Sequence, residues 1–173
     1  MPCAQLTEIL KGCDNNLGGI KKFYITAWDN VTGFTFDVNG EINTITLAAT
    51  TNFVEYEFSK NSSNYVEEGN ISLENGSTFY TVTSSLVIPR RELAKRNSIM
   101  LLAAGQQNLA IIIQDQNGLY WFQGLENGSN LTGQGEGSGT AKADGSKYSL
   151  TFTSEEPEMM RTVDPAIIAG LLV

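Results

Sequence analysis

Asn-Gly dipeptides cut this chain into strand-length pieces, and that punctuation constrains the fold more than any other feature. They stand at Asn39-Gly40, Asn75-Gly76, Asn117-Gly118 and Asn127-Gly128. Asparagine and glycine tolerate the left-handed backbone of a tight hairpin turn, so each pair marks a chain reversal. Between the turns, apolar and polar residues alternate. Residues 20–28 read as a strand with Phe23, Ile25 and Ala27 on one face. Residues 33–38 and 41–48 read as the arms of one hairpin, and 70–74 and 78–88 as those of another. Residues 52–59 place Phe53 and Glu55 opposite Val54, Tyr56 and Phe58. The nearly continuous apolar run 108–114 predicts a central strand covered on both faces. Residues 119–125 form the most aromatic strand, and 147–153 the last clear one. Strands recurring about every 8–12 residues between such turns predict a mainly β fold, a sandwich or barrel of antiparallel strands.

One long segment departs from this pattern. Residues 89–105 read as a helix, because Pro89 suits a first helical position and Gly105 suits a left-handed C-cap. Leu93, Met100 and Ala104 share one face at seven- and four-residue spacing. The run 99–104 is apolar all round, which predicts burial on more than one side. The expected architecture is therefore a β-sandwich or barrel with one flanking α-helix, in a single domain over 1–173. An arm of about 1–19, whose residues 4–11 are either a short helix or plain extended chain, precedes it. The polar run 60–68 (KNSSNYVEE) reads as a long polar hairpin tip or a projecting loop, and the glycine-rich stretch 133–145 as a flexible β-loop. Asp164-Pro165 offers an N-cap and a first-turn proline for the apolar end of a tail of about 157–173.

Function classes narrow by exclusion. A chain of 173 residues that is 41% hydrophobic and 17% charged has the composition of a globular domain. Its net charge of −8 leaves no electrostatic footprint for gripping phosphates. With no histidine there is no His-based triad and no imidazole base. Cys3 and Cys13 alone are too few soft ligands for zinc, and two free thiols are expected of them. The pairs Glu67-Glu68 and Glu155-Glu156 point to opposite faces of a strand and are expected to be solvated. Residues 133–139 alternate glycine with polar residues, but no Gly-Lys-Ser/Thr ending follows, as a phosphate loop requires. Asp115-Gln116-Asn117-Gly118 lacks the distal glutamate of a calcium loop and reads as a turn. No catalytic residue, metal site or cofactor is assigned. The N-terminus has no basic region followed by an apolar core, and no run reaches transmembrane length. A signal peptide and a membrane partner are therefore not expected.

The second half carries a resemblance. The order of the 89–105 helix, an apolar strand, Asp115-Gln116-Asn117-Gly118, Leu119-Tyr120-Trp121-Phe122-Gln123-Gly124 and Gly139-Thr140 resembles bacteriophage tail tube proteins. So do Asp144-Gly145, Tyr148-Ser149-Leu150-Thr151-Phe152-Thr153 and Glu155-Glu156-Pro157. The start, Cys13-Asp14-Asn15-Asn16-Leu17-Gly18-Gly19-Ile20, is similar to small structural proteins of phages of Bacteroidetes-type hosts. The resemblance implies a virion protein, made in the host cytoplasm, whose copies join into rings of six or more. Such rings stack on one another or on neighbouring tail or neck proteins. Double-stranded DNA passes through the lumen without specific binding. It further implies a stacking loop at about 50–69 and contacts from both termini. The candidate inter-subunit contacts are Tyr65 and Val66 in the loop and Ile167, Ile168, Leu171 and Leu172 in the tail, for which packing on this chain's own sheet is the equal alternative. The alternative from another class is a monomeric β-sandwich binding module with Tyr120, Trp121 and Phe122 as a sugar platform.

Overall fold

The alternating segments form eleven strands in two sheets, described for residues 7–172 by a computed structural model. The larger sheet holds β1 (Ile20–Ala27), β2 (Val31–Phe36), β3 (Ile42–Leu47), β4 (Val54–Glu55), β7 (Leu109–Asp115), β8 (Tyr120–Gln123) and β11 (Arg161–Val163), in the order β2-β3-β11-β8-β7-β1-β4. The smaller holds β5 (Asn64–Ser72), β6 (Ser77–Pro89), β9 (Asn130–Gly137) and β10 (Lys147–Glu156), in the order β5-β6-β10-β9. Pairing is antiparallel except between β3 and β11, where Val163 lies parallel to Ile42. Two helices complete the fold, α1 (Leu93–Gly105) and α2 (Pro165–Leu171).

Three of the turn dipeptides close hairpins as expected, whereas at Asn127-Gly128 the chain passes without reversing from β8 in the large sheet to β9 in the small one. Gly40, Gly76, Gly118 and Gly128 all have positive φ, between 63° and 92°. At the first, the Asp37 carboxylate accepts from the backbone N–H groups of Asn39 and Glu41, at 2.8 Å each. These bonds hold its carboxyl below the ordinary carboxylate range.

Every residue of β7 is buried, because the large sheet is covered on both faces. On one side, Phe23, Ile111 and Ile113 meet Leu86, Leu150 and Phe152 of the small sheet, with Ile99 of α1 closing one end. On the other, Tyr24, Ile112 and Phe122 pack with Phe53, Ile168 and Leu171. The Asp164 carboxylate caps α2 by accepting from the Ala166 N–H at 2.8 Å. The Phe53 N–H donates to the Leu171 carbonyl at 2.8 Å, fastening α2 beside the β4 end of the sheet.

Several expectations are corrected. Pro89 is the last residue of β6 and pairs with Lys147, so the helix does not start there. β5 runs beside β6 only as far as Ser85, so the missing proline N–H falls where that flank is free. Arg90 turns the chain at φ 61°, and α1 begins after the extended Glu92. Gly105 stays helical, and Gln106 takes the left-handed C-cap. The helix is also less buried than its apolar run 99–104 predicts. Ile99 is its one buried residue and Leu102 packs beside it, whereas Leu93 and Leu101 are 73% and 70% exposed and Met100 is exposed too. The row Leu93–Met100–Ala104 thus faces outward. Residues 64–68 and 130–137 are strands, not loops. Only Val54 and Glu55 of the 52–59 segment pair as a strand. Residues 7–11 form no helix, and residues 1–6, including Cys3, lie outside the described residues.

Candidate assembly interface

The small sheet ends in two long outer strands. Its outer strands, β5 of nine residues and β9 of eight, each pair on one side only. An unpaired strand presents a row of free N–H and C=O groups, a ready template for another chain. Strand direction alternates across β5-β6-β10-β9, so β5 and β9 run opposite to each other.

The two faces of this sheet differ because side chains alternate. Val82, Leu86, Leu150 and Phe152 point into the core. The outward face carries Thr81, Thr83 and Ser85 on β6 opposite Glu155, Thr153 and Thr151 on β10. Gly133, Gly135 and Gly137 on β9 lie against Thr151, Ser149 and Lys147. Hydroxyls and amides bond across the strands: Thr132 Oγ1 to Thr153 Oγ1 at 2.8 Å, and Asn70 Nδ2 to Thr81 Oγ1 at 3.0 Å. The result is a mostly polar surface of short side chains, interrupted by Val66 and Val87. Its charges are Glu68, Glu155 and, at one end, Lys147.

The β5–β6 hairpin is longer than the sheet that supports it. β10 follows β6 only from Tyr80 to Pro89, so residues 70–79 form a two-stranded overhang. Ile71, Leu73 and Phe79 are exposed there, Leu73 at 93%. A two-stranded ribbon in water is marginal without something to pack against.

The candidate contact residues divide sharply. Val66 is exposed on β5, and Tyr65 is half-buried against the core between the sheets, its hydroxyl pKa pushed up by burial and then by Asp115 and Glu67. Ile168 and Leu171 are buried in this chain's own core. Ile167 and Leu172 are half-buried beside them. An apolar helix capped by Asp164 satisfies itself on the sheet it follows. The overhang, by contrast, escaped attention because its apolar residues are scattered among polar ones.

Tyr120, Trp121 and Phe122 do not form an open platform. Phe122 is core, with its ring edge-on to Phe34 at 5.1 Å, and the Trp121 Nε1–H donates to the buried Asp115 carboxylate at 3.1 Å. A cleft of about 350 Å³ lies between α1 and residues 55–57, lined by Ile88, Ala94 and Ile99 together with Glu55, Glu57 and Lys95. Among the described residues no three His, Cys, Asp or Glu side chains come together as a metal site. None of their helices is long and apolar enough to cross a membrane. One buried carboxylate stands out. Glu156 accepts from the Glu126 and Asn127 N–H groups at 3.1 and 3.3 Å, yet burial pushes its pKa up. It ties the end of β10 to the 124–128 turn, a structural duty.

Comparison with family models, with curated proteins and with solved structures gives no match for this chain.

Proposed function

We propose that this chain is a structural subunit of a phage virion whose copies form a ring or tube around the path of the DNA. The observation that carries this reading is the small sheet: four antiparallel strands, two outer edges and a mostly polar outer face. The even count supports it. When copies are repeated around an axis along the strands, β9 of one copy meets β5 of the next running the opposite way. Antiparallel pairing then continues without a break, and closure removes both edges of the small sheet. Six copies of four strands would close a barrel of 24 strands. At about 4.8 Å between tilted strands its wall is roughly 45–50 Å across, ample for a duplex.

The outer face of the small sheet becomes the lumen in this arrangement. Threonine, serine and glycine give it short side chains, and Glu68 and Glu155 outnumber Lys147. DNA retention needs clustered Lys or Arg to release counterions, so such a wall lets DNA slide. The β5–β6 overhang points along the axis, where a neighbouring ring or neck protein would cover Ile71, Leu73 and Phe79.

The test is the mass of the purified protein in solution, with electron microscopy of the same sample. Rings or tubes with a central hole are expected, and the subunit count gives the strand number. A monomer at the highest soluble concentration would remove this reading.

A further inference from the structure

We infer that Asn75 is a site of spontaneous covalent modification, its side-chain amide being converted to aspartate and isoaspartate. The fold holds the other three Asn-Gly pairs back from the same reaction. The Gly76 backbone nitrogen attacks the Asn75 Cγ, forming a C–N bond and closing a five-membered succinimide. The Cγ–Nδ2 bond breaks, and ammonia leaves with the proton that the Gly76 nitrogen gives up. Water then opens the ring at either carbonyl, so one water is consumed for each ammonia released. Glycine matters at the second position because it has no side chain to obstruct the attack.

The four pairs differ in what the attack must first break. At Asn39-Gly40, the Asn39 Nδ2 donates to the Asp37 carboxylate at 3.1 Å and the Gly40 N–H to the Asp37 carbonyl at 3.2 Å. At Asn117-Gly118, the Asn117 side chain accepts from the Leu17 N–H at 2.8 Å and donates to Asn16 Oδ1 at 3.1 Å. The Gly118 N–H is itself bonded to the Asp115 carbonyl at 3.2 Å. At Asn127-Gly128, the Asn127 Nδ2 donates to the Glu155 carbonyl at 2.7 Å, and Gly128 is packed against Trp28 and Asn108.

Asn75-Gly76 has none of these restraints. Among the described residues, neither the Asn75 side-chain amide nor the Gly76 N–H has a hydrogen-bond partner; the Asn75 backbone N–H reaches Ser72 Oγ at 3.4 Å. No atom lies within 4 Å of where a Cβ on Gly76 would project. Both residues are exposed, in the turn of a ribbon that only β5 and β6 build. Such a ribbon opens easily, and the rotation that brings the Gly76 nitrogen to Cγ meets no packed neighbour. The product carries a new carboxylate beside Glu74, at the tip that ring stacking would cover. The inference itself stands on the hairpin alone and does not need the ring.

The experiment incubates wild type at mildly alkaline pH, below its assembly concentration, and follows each Asn-Gly peptide by mass spectrometry. A parallel sample in urea gives the rates of the same four pairs in the unfolded chain. Relative to those rates, folded protein should gain one mass unit at Asn75 about tenfold faster than at Asn39, Asn117 or Asn127, because each hydrogen bond that must break slows the reaction severalfold. Aspartate and isoaspartate should both appear at Asn75, with ammonia in equal amount. Equal protection of all four pairs, or faster conversion at any of the other three, would overturn the inference. Either result leaves the ring reading where the mass and micrographs put it.

Discussion

Replacing Ile99 by alanine tests which way α1 faces. Ile99 is 2% exposed and is the one helix residue driven fully into the core between the sheets. The substitution removes three heavy atoms from a close-packed site, and isoleucine-to-alanine changes in cores cost about 2–5 kcal/mol. The site lies at an end of the sandwich, where Leu102 is only partly buried and a cleft is already open beside Ile99. Neighbours can relax there, which places the cost near 2–3 kcal/mol rather than at the top of that range. Leu93→Ala and Met100→Ala, on the outward face, should each stay within about 0.5 kcal/mol in a monomeric sample. Urea unfolding at a concentration below assembly measures all three, with hydrogen exchange on α1 separating undocking of the helix from global unfolding. A loss at Met100 or Leu93 equal to that at Ile99 would refute the orientation described here.

Other outcomes follow from the same geometry. Glu156 has a folded pKa above its ordinary value, so the folded state takes up a proton more readily than the unfolded one. The penalty for burying its charge is present at neutral pH, is relieved as pH falls through the folded pKa, and is gone below the unfolded one. The Tm of wild type should therefore gain on that of Glu156→Gln as pH falls from neutral into the ordinary glutamate range, and parallel curves would sink this account. Leu73→Asp at the overhang should leave unfolding midpoints unchanged and shift tubes toward single rings in micrographs; tubes of undiminished length would count against an axial contact. Deleting residues 166–172 removes Ile168 and Leu171 from the core and should lower stability by more than 4 kcal/mol, seen as loss of cooperative thermal unfolding. A deletion that unfolds like wild type and only fails to assemble would restore the tail as a contact.

Much of the fold is legible in the residues because local chemistry and tertiary structure agree. Asn39-Gly40 needs a left-handed glycine whatever surrounds it, and the unbroken apolar run in β7 has no stable place except the middle of a covered sheet. The errors arise where one sequence pattern serves two environments. β5 and β9 contribute few side chains to the core, so they lack the apolar alternation that marks a strand; polar and glycine-rich, they look like loops. Their pairing is set by neighbours in β6 and β10 that are remote in sequence. Along α1, apolar spacing fits either face, and what decides is the reach of Ile99 and Leu102 into the sandwich. The tail was ambiguous for the same reason, since an apolar helix is equally well covered by its own sheet or by another.

The pairing of β1 with β7 has a kinetic consequence. Phe23 lies opposite Ile113 and Ile25 opposite Ile111, so the central ladder cannot close until most of the chain is available. The β5–β6 hairpin needs only its own two arms and a four-residue turn, and such hairpins form in about 1–10 μs. Long loops delay the central ladder far beyond that, as non-local β topologies do. The free β5 edge and the apolar tip at Leu73 are consequently formed and unshielded while the core is still incomplete. A newly made chain is most prone to premature association during that interval, and slow expression at low temperature should favour orderly assembly over aggregation.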